Sequence, residues 1–166
     1  MKLTQLFEVT AHGGDVFVGD GHPYPWGGLY GGHIVTQALN AASQTVEGDF
    51  LPHSLRAYFI RRGDNTETVR YEVDRIRNGR SFVTRRVVAR QANGAILNLE
   101  ASYQAPENSP EVTVVAMPSN IPLPDSLPAA DTWSEYFEQR DIPMDFVSAD
   151  GRDGAGRLMA WYRTTE

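Results

Sequence analysis

The sequence predicts an α+β fold in which one long helix lies against a strongly curved antiparallel sheet. Three observations carry that expectation. Residues 30–45 place Ile34, Ala38, Ala41 and Ala42 on one face, with Val35 and Leu39 alongside, which is helical spacing. Residues 67–76 (ETVRYEVDRI), 80–91 and 95–104 read as strands, the first with Val69, Tyr71 and Val73 on one face and Arg70, Glu72 and Asp74 on the other. The pairs Asn78-Gly79 and Asn93-Gly94 separate these runs. Asn-Gly between alternating strands is the strongest short-range hairpin signal, because both central residues of the favoured turn take positive φ. A three-stranded meander over 67–104 follows.

The remaining elements fall around this frame in order. Residues 6–10 and 15–19 are short strand-like pieces on either side of Gly13-Gly14, a small hairpin. A loop rich in proline, glycine and aromatics (HPYPWGG, 22–28) leads into the helix, whose small side chains allow close approach to a sheet. Residues 51–60 (LPHSLRAYFI) alternate, with Leu55, Ala57 and Phe59 on one side. A hairpin, one helix and four strands, with the helix on the concave face, make the hotdog arrangement. Such a sheet keeps an exposed edge strand and a helix that covers only one face. A second hotdog unit is therefore expected, supplied by homodimerisation or by fusion.

Composition narrows the function classes. The formal charge is −6 over 166 residues, which argues against a general nucleic-acid surface. The chain has no cysteine, so disulfides, zinc–thiolate sites and cysteine nucleophiles are excluded. His12 and His22 lie in loops with no second ligand at metal-binding spacing, so no metal is expected. Residues 1–8 lack the apolar run of a signal peptide and no segment is long enough for membrane insertion, so a cytoplasmic protein is expected. Charge and proline divide the chain. Residues 1–104 carry 11 Lys/Arg against 10 Asp/Glu, and 105–166 carry 4 against 11 with seven of the ten prolines. The expected boundary gives a folded domain at 1–105 and a Pro-rich acidic extension at 106–166. Within the extension, residues 131–138 suggest a short helix capped by Asp131, and 148–156 read as flexible.

Four stretches carry a family resemblance: GGHIVTQALNAA (31–42), LPHSLRAYFIRRGD (51–64), YEVDRIRNGRSFVTRRVVA (71–89) and ASYQAP (101–106). In this order and spacing, over residues 5–107, they resemble the first hotdog repeat of the type II acyl-CoA thioesterases. The resemblance implies a double hotdog that hydrolyses fatty acyl-CoA to free acid and CoA. CoA is then part of the substrate, and no further cofactor is implied. In that family the catalytic Asp–Thr–Gln set is attributed to the second repeat, which lies beyond this chain. Residues 158–163 (LMAWYR) resemble that repeat's opening strand. The resemblance implies either a truncated chain or two copies that replace the missing half.

The candidate site follows from the chemistry of thioester hydrolysis. The run at 27–32 is no P-loop, since no Lys-Ser/Thr follows it, and it is not G-x-G-x-x-G. Gly31 and Gly32 would let an acyl carbonyl approach helix N-terminal N–H groups, which stabilise a developing oxyanion. The same glycines also suit a tight entry into a buried helix. Gln37, one turn after His33, and Gln104, which ends the last strand, are candidate groups for holding water or the carbonyl. An amide cannot act as a base. His33 is the residue near the helix start that titrates near neutrality, and it is either a general base or a packing histidine. No carboxylate lies between Gly21 and Val46, which favours a non-catalytic repeat that binds acyl-CoA or stabilises a catalytic partner. The missing Asp beside His33 also argues against an enoyl-thioester hydratase. Arg61, Arg62, Arg80 and Arg85 are candidates for the CoA phosphates through bidentate bonds; the alternative is pairing with Glu67, Glu72 and Asp74. His53-Ser54 is discounted as a nucleophile–base pair, because adjacent strand residues face opposite ways.

Overall fold

The computed structural model describes residues 3–114, 116–147 and 158–165, and divides into two compact units, Met1–Asn108 and Ser109–Glu166. In the first unit a 3₁₀ turn (Leu3–Phe7) leads to β1 (Thr10–Ala11), β2 (Val16–Gly19), α1 (Gly31–Ser43), β3 (Leu51–Phe59), β4 (Val69–Asn78), β5 (Phe82–Gln91) and β6 (Gly94–Gln104). The six strands form one antiparallel sheet in the order β1-β2-β4-β5-β6-β3. This is the expected hotdog architecture.

The helix meets the sheet where its side chains are smallest. Ala38, Ala41 and Ala42 are fully buried and Ile34 nearly so, against Tyr71, Val87, Leu97 and Leu99. Alanine brings the helix backbone near the sheet and has no side-chain rotamers to order. On the sheet's other face, Arg86 pairs with Asp74 (3.2 Å) and Arg90 with Glu72 (2.9 Å). These are the cross-strand partners expected of exposed strand arginines.

Two local expectations are corrected. Residues 6–7 belong to the 3₁₀ turn and not to a strand, because α1 captures their carbonyls: Gln37 Nε2 donates to Leu6 O (2.9 Å) and Asn40 Nδ2 to Phe7 O (2.7 Å). Both meander hairpins form, but without the paired positive φ of a primed turn. Asp15 is the single non-glycine residue with positive φ among those described, and Gly94 alone of the four Asn-Gly residues has it (φ 108). Gln91 faces Gly94 across a loop of Ala92 and Asn93, followed by a register shift at Ala89/Arg90. Glycine at the left-handed position with a bulge is the next commonest solution for a short hairpin.

Arg85 stands on the inward face of β5, between Val83 and Val87, and is 1% exposed. Its Nε donates to Thr45 Oγ1 (2.7 Å), its Nη1 to the Arg77 and Thr84 carbonyls (3.0 Å each), and its Nη2 to Thr45 O (2.9 Å) and Asn78 Oδ1 (2.7 Å). All five N–H groups are used. The guanidinium ties the end of α1 to the β4–β5 hairpin and complements the helix dipole there. Burial lowers its pKa, with the Arg75 charge adding to the effect. Arg85 is therefore a structural latch, and the expectation that it binds CoA phosphates is corrected.

The second unit contains a 3₁₀ turn (Pro124–Ser126), β7 (Phe137–Asp141), α2 (Met144–Val147) and β8 (Ala160–Thr164), with β7 and β8 antiparallel. Leu127 and Ile142 are buried against Ile121, Met159 and Trp161. Glu138 bridges Arg140 (2.5 Å) and Arg163 (2.6 Å). The helix expected at 131–138 does not form. The Ala130 N–H donates to Gln139 O (2.8 Å), laying that end of the segment beside β7, and Phe137 and Glu138 are already strand. Residues 148–156 lie outside the described residues.

Replacing Arg85 by Met removes five bonds, two of them to the buried Thr45, and should lower unfolding free energy by about 3 kcal/mol. Arg85→Lys, with three donors of different geometry, should recover less than half of that. Urea titration measures both, and a change in Arg85→Met below about 0.5 kcal/mol, the size of an ordinary surface substitution, would refute the latch.

Candidate functional site

The mouth of α1 is built of bare backbone. Tyr30 precedes the helix in extended conformation (φ −74, ψ 131) and supplies no side-chain cap. The N–H groups of His33 and Ile34 turn back to Tyr30 O, at 3.1 and 3.3 Å. Those of Gly31 and Gly32 have no hydrogen-bond partner among the described residues. Such orphan donors at a helix start carry the positive end of the dipole. A Cβ on Gly31 would lie 3.0 Å from the Phe59 ring, and one on Gly32 would lie 2.5 Å from a Tyr30 ring carbon. A side chain at Gly32 would thus displace the Tyr30 ring, and one at Gly31 would press on the Phe59 ring. Phe59 and Tyr30 are 60% and 41% exposed, so the rings wall the mouth without sealing it.

The aromatic loop before the helix is held by His33. The Tyr24 hydroxyl is hydrogen-bonded to His33 Nδ1 (3.0 Å), and the Tyr24 ring stacks on Trp26 with centroids 5.1 Å apart and planes 4° apart. Tyr30 packs against both rings. Arg62 donates to Trp26 O and lies over Gly28. His33 itself is 1% exposed, and its Nε2 has no partner. Burial holds its pKa below the usual imidazole value of 6.5, the His22 charge adding and the Leu6 backbone opposing.

The structure does not assemble the expected residues into one site. Gln37 is buried: its Nε2 donates to Leu6 O (2.9 Å) and Asp20 O (3.2 Å), and its Oε1 accepts from the Tyr71 hydroxyl (2.6 Å). Burial raises the Tyr71 pKa, so this donor stays protonated. Both donors are used, and the side chain is 1% exposed, so Gln37 stands as a structural anchor between helix, sheet and N-terminal turn and not at the open mouth where a positioning role was expected. Gln104 pairs with Leu51 and Phe82, whereas Phe59, which touches Gly31, pairs with Leu97. Seven residue steps along β6 lead from Leu97 to Gln104, roughly 23 Å. Within this repeat Gln104 and the Gly31–Gly32 amides cannot hold the same carbonyl. Gln104 bonds Glu107 instead (2.5 Å).

The arginines divide likewise. Arg61 donates to Ala95 O (2.8 Å) at the mouth end, where Arg62 also lies. Arg80 is exposed in the β4–β5 turn, at the sheet end where Arg85 is buried. The four arginines expected at the CoA phosphates therefore do not form one cluster: Arg61 and Arg62 lie at the mouth end, and Arg80 and Arg85 at the other.

Three features escaped the sequence reading. His53 Nε2 lies 2.9 Å from Ser102 Oγ across β3 and β6, a pairing that only strand register creates. Glu8 and Asp20 line a cavity with His33, although neither is near it in sequence. Gln37, Asn40 and Gln44 all donate to carbonyls of residues 6–9. The polar stripe His33, Gln37, Asn40, Gln44, at helical spacing opposite the alanines, was the available signal for a covering segment.

The class of protein is settled by the architecture: a hotdog domain with an open helix mouth and an unpaired edge strand. Comparisons agree. A sequence model described as the acyl-CoA thioesterase N-terminal domain matches residues 22–104, and the chain belongs to this family. It is 41% identical over 123 residues to human acyl-coenzyme A thioesterase 8, covering 74% of this chain and 38% of that protein. It is 37% identical over 92 residues to acyl-CoA thioesterase 2 of Haemophilus influenzae, covering 55% and 32% respectively. The solved acyl-CoA thioesterase II TesB2 of Mycobacterium marinum superposes with a TM-score of 0.80 at 30% identity, over 98% of this chain and 58% of the other. The chain spans about a third of the length of these curated relatives.

The depressed His33 pKa fixes a sign. The unfolded state binds a proton near pH 6.5 and the folded state only below that, so stability holds above pH 6.5 and falls as pH drops through the interval between the two values. His33→Gln should flatten the part of the stability profile just below pH 6.5, measured by urea denaturation. An unchanged slope would show that His33 is not buried neutral.

Proposed function

We propose that this chain is the N-terminal repeat of an acyl-CoA thioesterase, which hydrolyses acyl-CoA to the free acid and CoA when joined to a second hotdog unit. The observation that carries the reading is the pair of unpartnered Gly31 and Gly32 amides at an open helix mouth. Hydrolysis adds water to the thioester carbonyl, and the oxygen gains negative charge as the tetrahedral intermediate forms. Two preorganised N–H donors at a helix N-terminus stabilise that charge. Tyr30 and Phe59 then flank the acyl group, and Arg61 and Arg62, at the same end, attract the CoA phosphates. A cytoplasmic location goes with this reading, supported by a cysteine-free chain.

The pairing surface in this reading is β3. It is an edge strand on which Leu51, Leu55, Tyr58 and Phe59 are between 45% and 64% exposed. Long apolar edges are rarely left bare in isolated domains. The second unit is either a second copy of this chain or a fused repeat.

One observation favours a narrower reading. α1 carries no carboxylate, and His33, the titratable group on the helix, is buried with its Nδ1 bonded to Tyr24 and its Nε2 out of reach of solvent, so no described group on the helix is open to take a proton from water. The repeat would then bind acyl-CoA while a partner repeat supplies the base. Calorimetry with a non-hydrolysable acyl-CoA thioether, run beside a thiol-release assay, separates the two. Binding with turnover supports the first reading, binding without turnover the second, and absence of both discards the acyl-CoA assignment. Gly32→Val forces the Tyr30 ring from its place and should weaken thioether binding at least about tenfold, the equivalent of 1.4 kcal/mol. Leu55→Asp should shift any self-association to monomer in sedimentation velocity; an unchanged dimer would place the interface elsewhere.

A further inference from the structure

The inward faces of the four long strands are not equally covered. On β4, β5 and β6 the residues that face α1, among them Tyr71, Val87, Leu97 and Leu99, are fully buried. Register identifies the inward residues of β3: Leu55 pairs with Ala101, Ala57 with Leu99 and Phe59 with Leu97, and cross-strand partners share a face. Yet Leu55 is 45% and Phe59 60% exposed, and Ala57 is half-buried. The helix therefore leaves the β3 side of the concave face open.

The other wall comes from α1. Gln37 and Asn40 turn toward the carbonyls of residues 6 and 7. Val35 and Leu39, one turn apart, lie on a different side of the helix, and both pack half-buried against the core as Ala57 does. Tyr103, the inward β6 residue opposite Pro52, fixes which side that is. Its hydroxyl is bonded to Ser43 Oγ (2.9 Å) and donates to Leu39 O (3.4 Å). Phe59, Ala57 and Leu55 from β3 and Val35 and Leu39 from α1 thus line one apolar strip. It begins at the mouth, where Phe59 meets Gly31. It ends at the polar Tyr103–Ser43 pair, beside the bulge at Pro52/Ser54.

An uncharged strip continuous with a carbonyl-binding mouth suits one occupant, the hydrocarbon tail of the acyl group held there. We propose that an acyl chain lies along this strip, that the small side chain of Ala57 keeps it passable between Phe59 and Leu55, and that the Tyr103–Ser43 pair ends its useful length near twelve carbons. The proposal rests on the acyl-CoA reading of the mouth. Ala57 and Leu55 lie roughly 7 and 13 Å beyond Phe59 along the strand. An extended chain advances about 1.2 Å per bond, as three backbone bonds per residue show, so a chain anchored at Gly31 and Gly32 passes Ala57 at about its seventh carbon and Leu55 at about its twelfth. A second unit paired along β3 would use its main-chain edge and leave these side chains on the concave side.

The test is calorimetry of the full chain with thioether analogues of butanoyl-, dodecanoyl- and hexadecanoyl-CoA, each kept below its micelle concentration. The dodecanoyl analogue should bind at least about 100-fold more tightly than the butanoyl, since each buried methylene adds to the hydrophobic gain. The hexadecanoyl analogue should gain less than about threefold beyond that. Ala57→Phe blocks the strip midway and should cut the dodecanoyl-to-butanoyl ratio at least about tenfold. Leu55→Ala, at an exposed site that spares the core, should cut it about threefold. A thermal melt confirms that both variants fold. Binding of none of the three analogues would refute the acyl-CoA reading and the strip with it. Butanoyl bound as tightly as dodecanoyl would overturn the strip and leave the acyl-CoA reading standing. A ratio untouched by both variants would place the chain elsewhere, and an undiminished gain per carbon from dodecanoyl to hexadecanoyl would remove the ceiling; either result overturns the proposal.

Discussion

Gln37 holds four segments of the chain at one point. From α1 its amide reaches the N-terminal 3₁₀ turn at Leu6, the chain after β2 at Asp20 and the β4 hydroxyl of Tyr71. A buried amide must satisfy both its ends, and these three bonds admit one placement of helix, sheet and N-terminal segment. The demand spreads outward: a Cβ on Gly19 would lie 2.5 Å from Gln37 Oε1, so β2 must end in glycine there. The same constraint sets the rotation of α1, with alanines to the sheet, His33 to the cavity and the glycine amides to the mouth.

The two ends of α1 are treated in opposite ways. At the C-terminal end Arg85 takes the Thr45 carbonyl and hydroxyl, Thr45 in turn bonds Ala42 O, and the charge suits the dipole. At the N-terminal end the donors of Gly31 and Gly32 stay open, and the walls around them are aromatic. Burying a saturated cation at one end fixes the helix firmly enough for the other to be left unsatisfied. Sites for transition-state charge need that rigidity, because donors that must move to meet an oxyanion lose much of their advantage.

Much of the fold was legible in order. The helix over 31–43, the inward face of β4 and the meander all follow from periodicity, since a buried face must repeat at the element's own period. The site was less legible. His33 and the glycines lie together at the helix start in the structure as they do in the sequence. Gln104 was grouped with them on resemblance, and strand register puts it at the far end of the sheet. Arg85 looked like any exposed strand arginine, and one place in an alternating pattern decided that it points inward.

By itself the amino-acid order determined the helix, the meander and the inward faces of α1 and β4, because these depend on neighbours within a few residues. The tertiary structure alone decided which polar groups are free. Whether an amide, a guanidinium or an imidazole can meet a ligand depends on partners thirty or more residues away, such as Leu6 for Gln37, Thr45 for Arg85, and none for His33 Nε2. Hydrogen-bond capacity is spent in three dimensions, and a linear pattern carries no record of where.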